Sequence, residues 1–360
     1  PRLNYTTGVA NPYLLLEPSR SNVIAQSEYY NTYWNINDVT IEDNSAISPE
    51  GLQNASKMTE AATNARHRLG SGLTTLSTSG VYIASVFIKK GTARYGFVHF
   101  SGAGAYTMVV DLEDGTITDT ITSGTIAYQN VEDYGNGWYR CSVGGDITAG
   151  TAPYLMQFGT AGSAEPTYFN YVPIFLGSTS NNIYTYGATL ETGSYPTSYI
   201  PTYSVSATRA QDVCNKTNAS GEIGQTEGTL YFEGKFSVLD SGSRISITDG
   251  TYSNFMYFRT QSAGYAQFIG SSIGLQSASG SINTTDTYKI AIGYKANDCV
   301  MYINGTQAAV DTLATIPIGL SRFGFDMVSS GTNPFLGEIK QSALYKERLT
   351  NAELATLTTI

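Results

Sequence analysis

Charge is scarce in this chain of 360 residues. Asp, Glu, Lys and Arg make up 14% of it, against roughly a quarter in ordinary soluble proteins. The charges present lean acidic, with 29 carboxylates against 20 Lys and Arg and a net charge of −9. That balance argues against nucleic-acid binding, which needs a basic stripe to displace phosphate counterions. Long apolar runs are missing as well. Nothing approaches the ~20 consecutive apolar residues of a membrane-spanning helix, so no membrane insertion is expected. Cysteine is down to Cys141, Cys214 and Cys299. Three widely spaced thiols make neither a disulfide framework nor a metal cluster. They read as independent, mostly buried thiols of a protein made in reducing cytoplasm. Neither an initiating Met nor a leader stands before Pro1, so the sequence reads as a fragment, a processed chain or a trimmed one.

Catalytic groups are thin on the ground. A nucleophile–His–acid triad would need His67 or His99, the two histidines present. His99 alternates with Phe97 in "YGFVHF" and reads as a strand residue, while "NARHRLG" around His67 has no nucleophile elbow nearby. Glycoside hydrolysis needs two carboxylates about 5–10 Å apart, one kept protonated by burial. Asp111/Glu113 and Glu132/Asp133 have strand spacing but adjoin turns or loops, which makes them solvated turn carboxylates. The expectation is that the chain is not an enzyme. Calcium stays open, because sandwich folds hold it with scattered carboxylates and carbonyls that leave no linear motif. Asp111, Glu113, Asp146, Asp249 and Asp326 are candidates by residue type alone, and no other cofactor is indicated.

What the chain has in quantity is Tyr, 27 of them, and Gly, 37, among many Ser, Thr and Asn. Aromatic and β-branched residues suit a pleated, half-buried surface. "VYIASVFIKK" (81–90), "RYGFVHF" (94–100), "AYTMVVDL" (105–112) and "TYFNYVPIFL" (167–176) are strand-length runs punctuated by turn residues. Asp114-Gly115 lies between two such runs, a strong hairpin signal. Residues 191–228 break the rhythm with Pro196, Pro201 and a Ser/Thr/Asn-rich tract, although Tyr199 and Ile200 can pin the start of it to what precedes. A second block then alternates: Leu230, Phe232, Phe236 and Val238 face one way, Tyr231, Glu233, Lys235 and Ser237 the other. Tyr288, Ile290, Ile292 and Tyr294 share a face, followed by turns at Ala296-Asn297-Asp298 and Asn304-Gly305. At the end Thr350 and Glu353 form a capping box, with Leu349 and Leu354 placed for a hydrophobic staple. That helix is expected to seal one end of the second domain. The reading is all-β: two tandem antiparallel β-sandwiches over 1–203 and 229–360, a linker at 204–228, and one short C-terminal helix.

"PRLNY" (1–5) and "NPYLLLEPSRSNVIAQSEYY" (11–30) resemble a recurrent element of tailed-bacteriophage appendage proteins, which introduces a carbohydrate-binding-module-like jelly roll. "AISPEGLQNASKMTE" (46–60), "VEDYGNGWYRCSV" (131–143), "YTYGATLETGSYPTSYIPT" (184–202) and "SATRAQDV" (206–213) follow in the order of that pattern. "VMYINGTQ" and "FLGEIKQSALYKERLTNAEL" in the second block resemble a laminin-G-like, concanavalin A-type lectin sandwich. The resemblance implies a head or tail fibre protein of a virion, assembled in the host cytoplasm as a homotrimer or other homo-oligomer. Its partners would be host-surface polysaccharide and other virion proteins. Leu14–Leu16 would dock on the first sandwich, with Pro18 ending their strand. Two rivals stay open: a purely structural fibre or decoration protein, and a polysaccharide depolymerase.

Sugar binding uses aromatic faces and neutral hydrogen-bonding groups, which cost little to desolvate when they are re-paired. "SEYYNTYW" offers Tyr29, Tyr30, Tyr33 and Trp34. "YSNFMYFRTQSAGYAQF" offers Tyr252, Tyr257, Arg259 and Tyr265. The plainer reading gives the tryptophans to cores and the alternate tyrosines to sheet faces.

Overall fold

A computed structural model of the chain describes residues 2–4, 12–72, 75–101, 104–150, 154–328 and 331–360. The short-range signals act where expected. Asp114-Gly115 turns between strands Ala105–Asp111 and Ile117–Thr122, with Gly115 at φ 77°. Asn304 and Gly305 link Cys299–Ile303 to Thr306–Asp311 at φ 47° and 80°, the two positive values that a tight primed hairpin turn needs.

The chain forms two compact units, one of Arg20–Arg209 and one of Pro1–Ser19 with Ala210–Ile360. In the first unit, one six-stranded sheet runs Ile117–Thr122, Ala105–Asp111, Tyr95–Ser101, Leu155–Thr160, Arg68–Gly70, Asn35–Asn37. The second sheet runs Ile126–Asp133, Trp138–Ile147, Gly80–Lys90, Asn182–Thr192, Ala55–Glu60, Val39–Ala46. Phe100, Met108 and Phe158 from one sheet pack with Val86, Ile88 and Val143 from the other in a single buried cluster. Cys141 belongs to it as well.

The second unit has a seven-stranded sheet of Arg2–Asn4, Tyr13–Leu16, Gly337–Tyr345, Glu227–Phe236, Tyr288–Lys295, Cys299–Ile303 and Thr306–Asp311. Against it packs a six-stranded sheet of Asn215–Lys216, Arg322–Gly324, Arg244–Thr248, Phe255–Gln261, Tyr265–Gly270 and Ile273–Gln276. Leu230, Phe232, Ile290 and Ile292 meet Ile245, Phe258 and Phe268 in the core. Both units are thus antiparallel sandwiches.

Three placements differ from the sequence reading. Leu14–Leu16 do not dock on the first sandwich. Leu14 pairs with Ile339 and Leu16 with Gly337, and Leu16 is 1% exposed in the core of the second. A four-residue strand says which of its faces is apolar but not which sheet edge will accept it. The stretch 204–228 is no free linker either. Ala207–Arg209 pairs with Arg20–Asn22 in the first unit, while Asn215–Lys216 pairs with Arg322–Gly324 in the second. Ala219 and Ile223 in the same stretch are buried. Its polar composition reflects short edge pieces whose hydrogen bonds come from partners distant in sequence. The C-terminal helix Asn351–Thr358 has its capping box, Thr350 N donating to Glu353 Oε2 at 2.7 Å. It covers a sheet face rather than an end, with Leu354 packed on Tyr231, Ala291, Val300 and Tyr302. A helical turn at Tyr30–Tyr33 adds a second, unexpected helix.

Candidate functional site

In the six-stranded sheet of the second unit, strand alternation separates two chemistries. Met256, Phe258, Ala266, Phe268 and Leu275 enter the core. Tyr257, Arg259, Gln267 and Gln276 therefore stand on the opposite face. The antiparallel register sets Arg244 opposite Arg259, Arg259 opposite Gln267, and Gln267 opposite Gln276. Four strands thus contribute one polar side chain each to a single row.

The row is tied together. Arg259 Nε donates to Gln267 Oε1 at 2.8 Å, and Gln267 Nε2 donates to Gln276 Oε1 at 2.7 Å. With the Gln261 amide turned to satisfy both of its ends, its oxygen accepts from Arg259 Nε and Nη2 at 3.2 Å. Tyr257 lies in the next row. The Arg244 guanidinium sits 4.4 Å from its ring centroid and that of Arg259 5.9 Å, an arrangement in which the ring quadrupole attracts each cation. Phe255 stacks on Tyr257 at 5.6 Å, and Met327 and Val328 complete a small apolar cluster around the ring.

The charge of this face is uncompensated. Arg322, on the neighbouring strand, is ion-paired with Asp326. Among the described residues, neither Arg244 nor Arg259 has a carboxylate within ion-pair distance, and the residues outside the description include no Asp or Glu. Arg244 Nε is buried without a hydrogen-bond partner. Like charges directly across a strand pair are unfavourable; the tyrosine ring and the glutamine amides are what hold them there.

The predicted binding residues divide. Tyr257 and Arg259 come together in the cluster just described. Tyr265 lies on the same face, opposite Gln261. Tyr252 is 58% exposed in the turn between Arg244–Thr248 and Phe255–Gln261, away from the row. Tyr257, expected as an open stacking platform, is only 8% exposed, because guanidiniums and apolar side chains cover it. Tyr33 and Trp34 belong to the first unit, where they line a pocket of about 500 Å³ with Ile24, Gln26 and Ser71. Trp34 is 7% exposed and edge-on to Tyr30 and Phe158, and its Nε1 donates to Gln26 O at 2.8 Å. It is a core residue whose ring is not free for a sugar. The Tyr33 hydroxyl shares a 2.6 Å hydrogen bond with Ser204 Oγ.

Arg244, Gln261, Gln267 and Gln276 escaped the sequence reading. Gln267 follows Tyr265 by two residues in one alternating strand, so its face was legible. Arg244 and Gln276 join only through the register. A second polar cluster also went unread. The buried Glu28 carboxylate accepts from the hydroxyls of Tyr199 at 2.9 Å and Tyr203 at 3.3 Å, and burial raises its pKa.

The histidines serve the interior. His67 places Nδ1 2.7 Å from Asp38 O, and His99 places Nδ1 2.8 Å from Thr107 Oγ1. The calcium candidates are dispersed. Asp111 is paired with Arg94, whose hydrogen bonds hold its carboxyl below the usual range. Glu113 is paired with Lys90, and Asp249 accepts from Thr251 and Asn254 within its own turn. Asp326 takes Arg322 and Asn215, while Asp146 is exposed. Among the described residues, no three His, Cys, Asp or Glu side chains gather as a metal site.

No protein-family model and no curated protein matches this sequence. Among solved structures, the chain is similar to the carbohydrate-binding module of a Ruminococcus gnavus sialidase, bound to α2,3-sialyllactose. That match has 19% identity and a TM-score of 0.32, covering 38% of this chain and 84% of the other. Domains LG4-5 of the mouse laminin alpha1 chain match at 8% identity and a TM-score of 0.28, over 83% of this chain and 92% of that one. A Trypanosoma rangeli sialidase in complex with sialic acid matches at 11% and 0.31, over 84% of this chain. The match spans 60% of the sialidase's length. The expectation of a chain that is not an enzyme is corrected here, since enzymes stand among the structures it resembles. Likenesses at these identities concern the scaffold, and a scaffold of stacked sheets hosts catalysis and binding alike.

Proposed function

We propose that this chain binds glycans through the outer face of the second unit's six-stranded sheet. The observation that carries the reading is the row Arg244–Arg259–Gln267–Gln276, hydrogen-bonded from Arg259 to Gln276 and set beside Tyr257. Amides and guanidiniums match the hydroxyls of a sugar, and fixing them in advance removes the ordering cost of binding. An open sheet face suits an extended polymer better than a small molecule, which favours enclosure. The test is binding of the full chain to immobilised neutral and acidic polysaccharides, with and without Arg259→Ala/Gln267→Ala. Retention by the parent and loss by the variant is the expected result. Failure to bind any polysaccharide would remove the reading and leave a structural role. Shortening of the polysaccharide in the same assay would identify an enzyme.

The ordered motifs over residues 1–213 support a place on a tailed-bacteriophage particle, as a head or tail fibre that meets host-surface polysaccharide and other virion proteins. Homo-oligomers, trimers included, would multiply a weak contact. Antibodies against the chain should label such particles and block adsorption; unlabelled particles would refute this placement.

A further inference from the structure

We infer that the glycan recognised by this face is acidic, with a sugar carboxylate seated between Arg244 and Arg259; the inference rests on the glycan reading above and narrows it. The two arginines face each other across adjacent strands. Several other arginines do meet a carboxylate: Arg94 with Asp111, Arg322 with Asp326, Arg348 with Asp298. Carboxylates outnumber cations 29 to 20, so an uncompensated arginine pair is not a product of composition. The side chains recorded in contact with the pair, Gln267, Gln261 and Tyr257, are neutral. Gln267 and Gln261 orient the Arg259 guanidinium by accepting from it without cancelling its charge. The Tyr257 ring holds Arg244 by its face and leaves Arg244 Nε, a buried donor, unpartnered.

A planar carboxylate can accept two parallel N–H bonds from a guanidinium, and it would relieve the repulsion between the two cations. A neutral sugar would do neither. The surrounding Gln267, Gln276 and Tyr265 supply hydroxyl partners for the rest of the ring, so an acidic polysaccharide uses the whole row where an isolated anion uses only its arginine end. The −9 net charge opposes polyanions in general, and this confines attraction to the local pair.

The experiment compares the full chain's affinity for polygalacturonate, alginate and polysialic acid with its affinity for the same polymers after their carboxylates are reduced to alcohols. Affinity for at least one acidic polymer should exceed that for its reduced form by about tenfold or more, as expected for charge-assisted bonds, and should fall with added salt. Arg244→Gln/Arg259→Gln should erase the difference, and Arg244→Lys/Arg259→Lys, which keeps the charge but loses the planar fork, should restore part of it. Equal binding of acidic and reduced polymers overturns the inference and leaves the glycan reading standing. Binding of neither, with neutral polysaccharides also refused, overturns both. The comparison on the parent chain needs no variant to fold. Unchanged acid preference in a folded double Gln variant would move the site elsewhere and overturn the assignment.

Discussion

His99 shows how one buried side chain sets a pH dependence. Its ring bonds Thr107 inside the first sandwich. Burial, with Arg68 and Arg66 adding repulsion, pushes its pKa from 6.5 down to about 3. Between those values the unfolded chain binds the proton and the folded one refuses it. The stability of the first unit is therefore full above about pH 6.5 and declines as pH falls toward 3, by on the order of 1.4 kcal/mol per unit. Melting curves from pH 7 to 4.5 should fall more steeply for the parent than for His99→Gln; parallel slopes would refute the assignment. The sequence placed His99 on a strand by its alternation with Phe97. It could not show Arg66 and Arg68 nearby, because those lie some thirty residues away.

At the scale of elements, local rules governed what they could reach. The capping box closes within four residues, so Thr350 and Glu353 announced the last helix. Thr350→Ala should cost about 1 kcal/mol, seen as a lower unfolding midpoint of the second unit; no shift would mean the helix is held by packing alone. What that helix covers was not announced, since Leu354 meets Tyr231, Ala291 and Val300 from three separate strands. The polar row has the same logic. Period two sets Tyr257 and Arg259 on one face, while the partners across the sheet followed from hairpin lengths and from the pairing of Arg244–Thr248 with Phe255–Gln261.

For the whole molecule, the first nineteen residues are the test. Leu16 lies in the second unit's core although residues 20–209 intervene before the rest of it. Removing residues 1–19 should strip a strand from Gly337–Tyr345 and lower hydrogen-exchange protection across 210–360, with 20–209 unaffected. The single change Leu16→Ala should cost the same unit about 2–5 kcal/mol. Protection lost instead in 20–209 would contradict the assignment of the strand.

Composition and periodicity alone determined that this is an all-β protein in two sandwiches with three free thiols, a capped final helix and hairpins at Asp114-Gly115 and Asn304-Gly305. These features are settled within a few residues by backbone sterics, side-chain alternation and capping hydrogen bonds. The tertiary structure alone decided which edge takes the opening strand, that Trp34 and Tyr257 are covered, and that Arg244 faces Arg259. Such choices compare burial and charge among segments far apart in the chain, and no local pattern encodes that comparison.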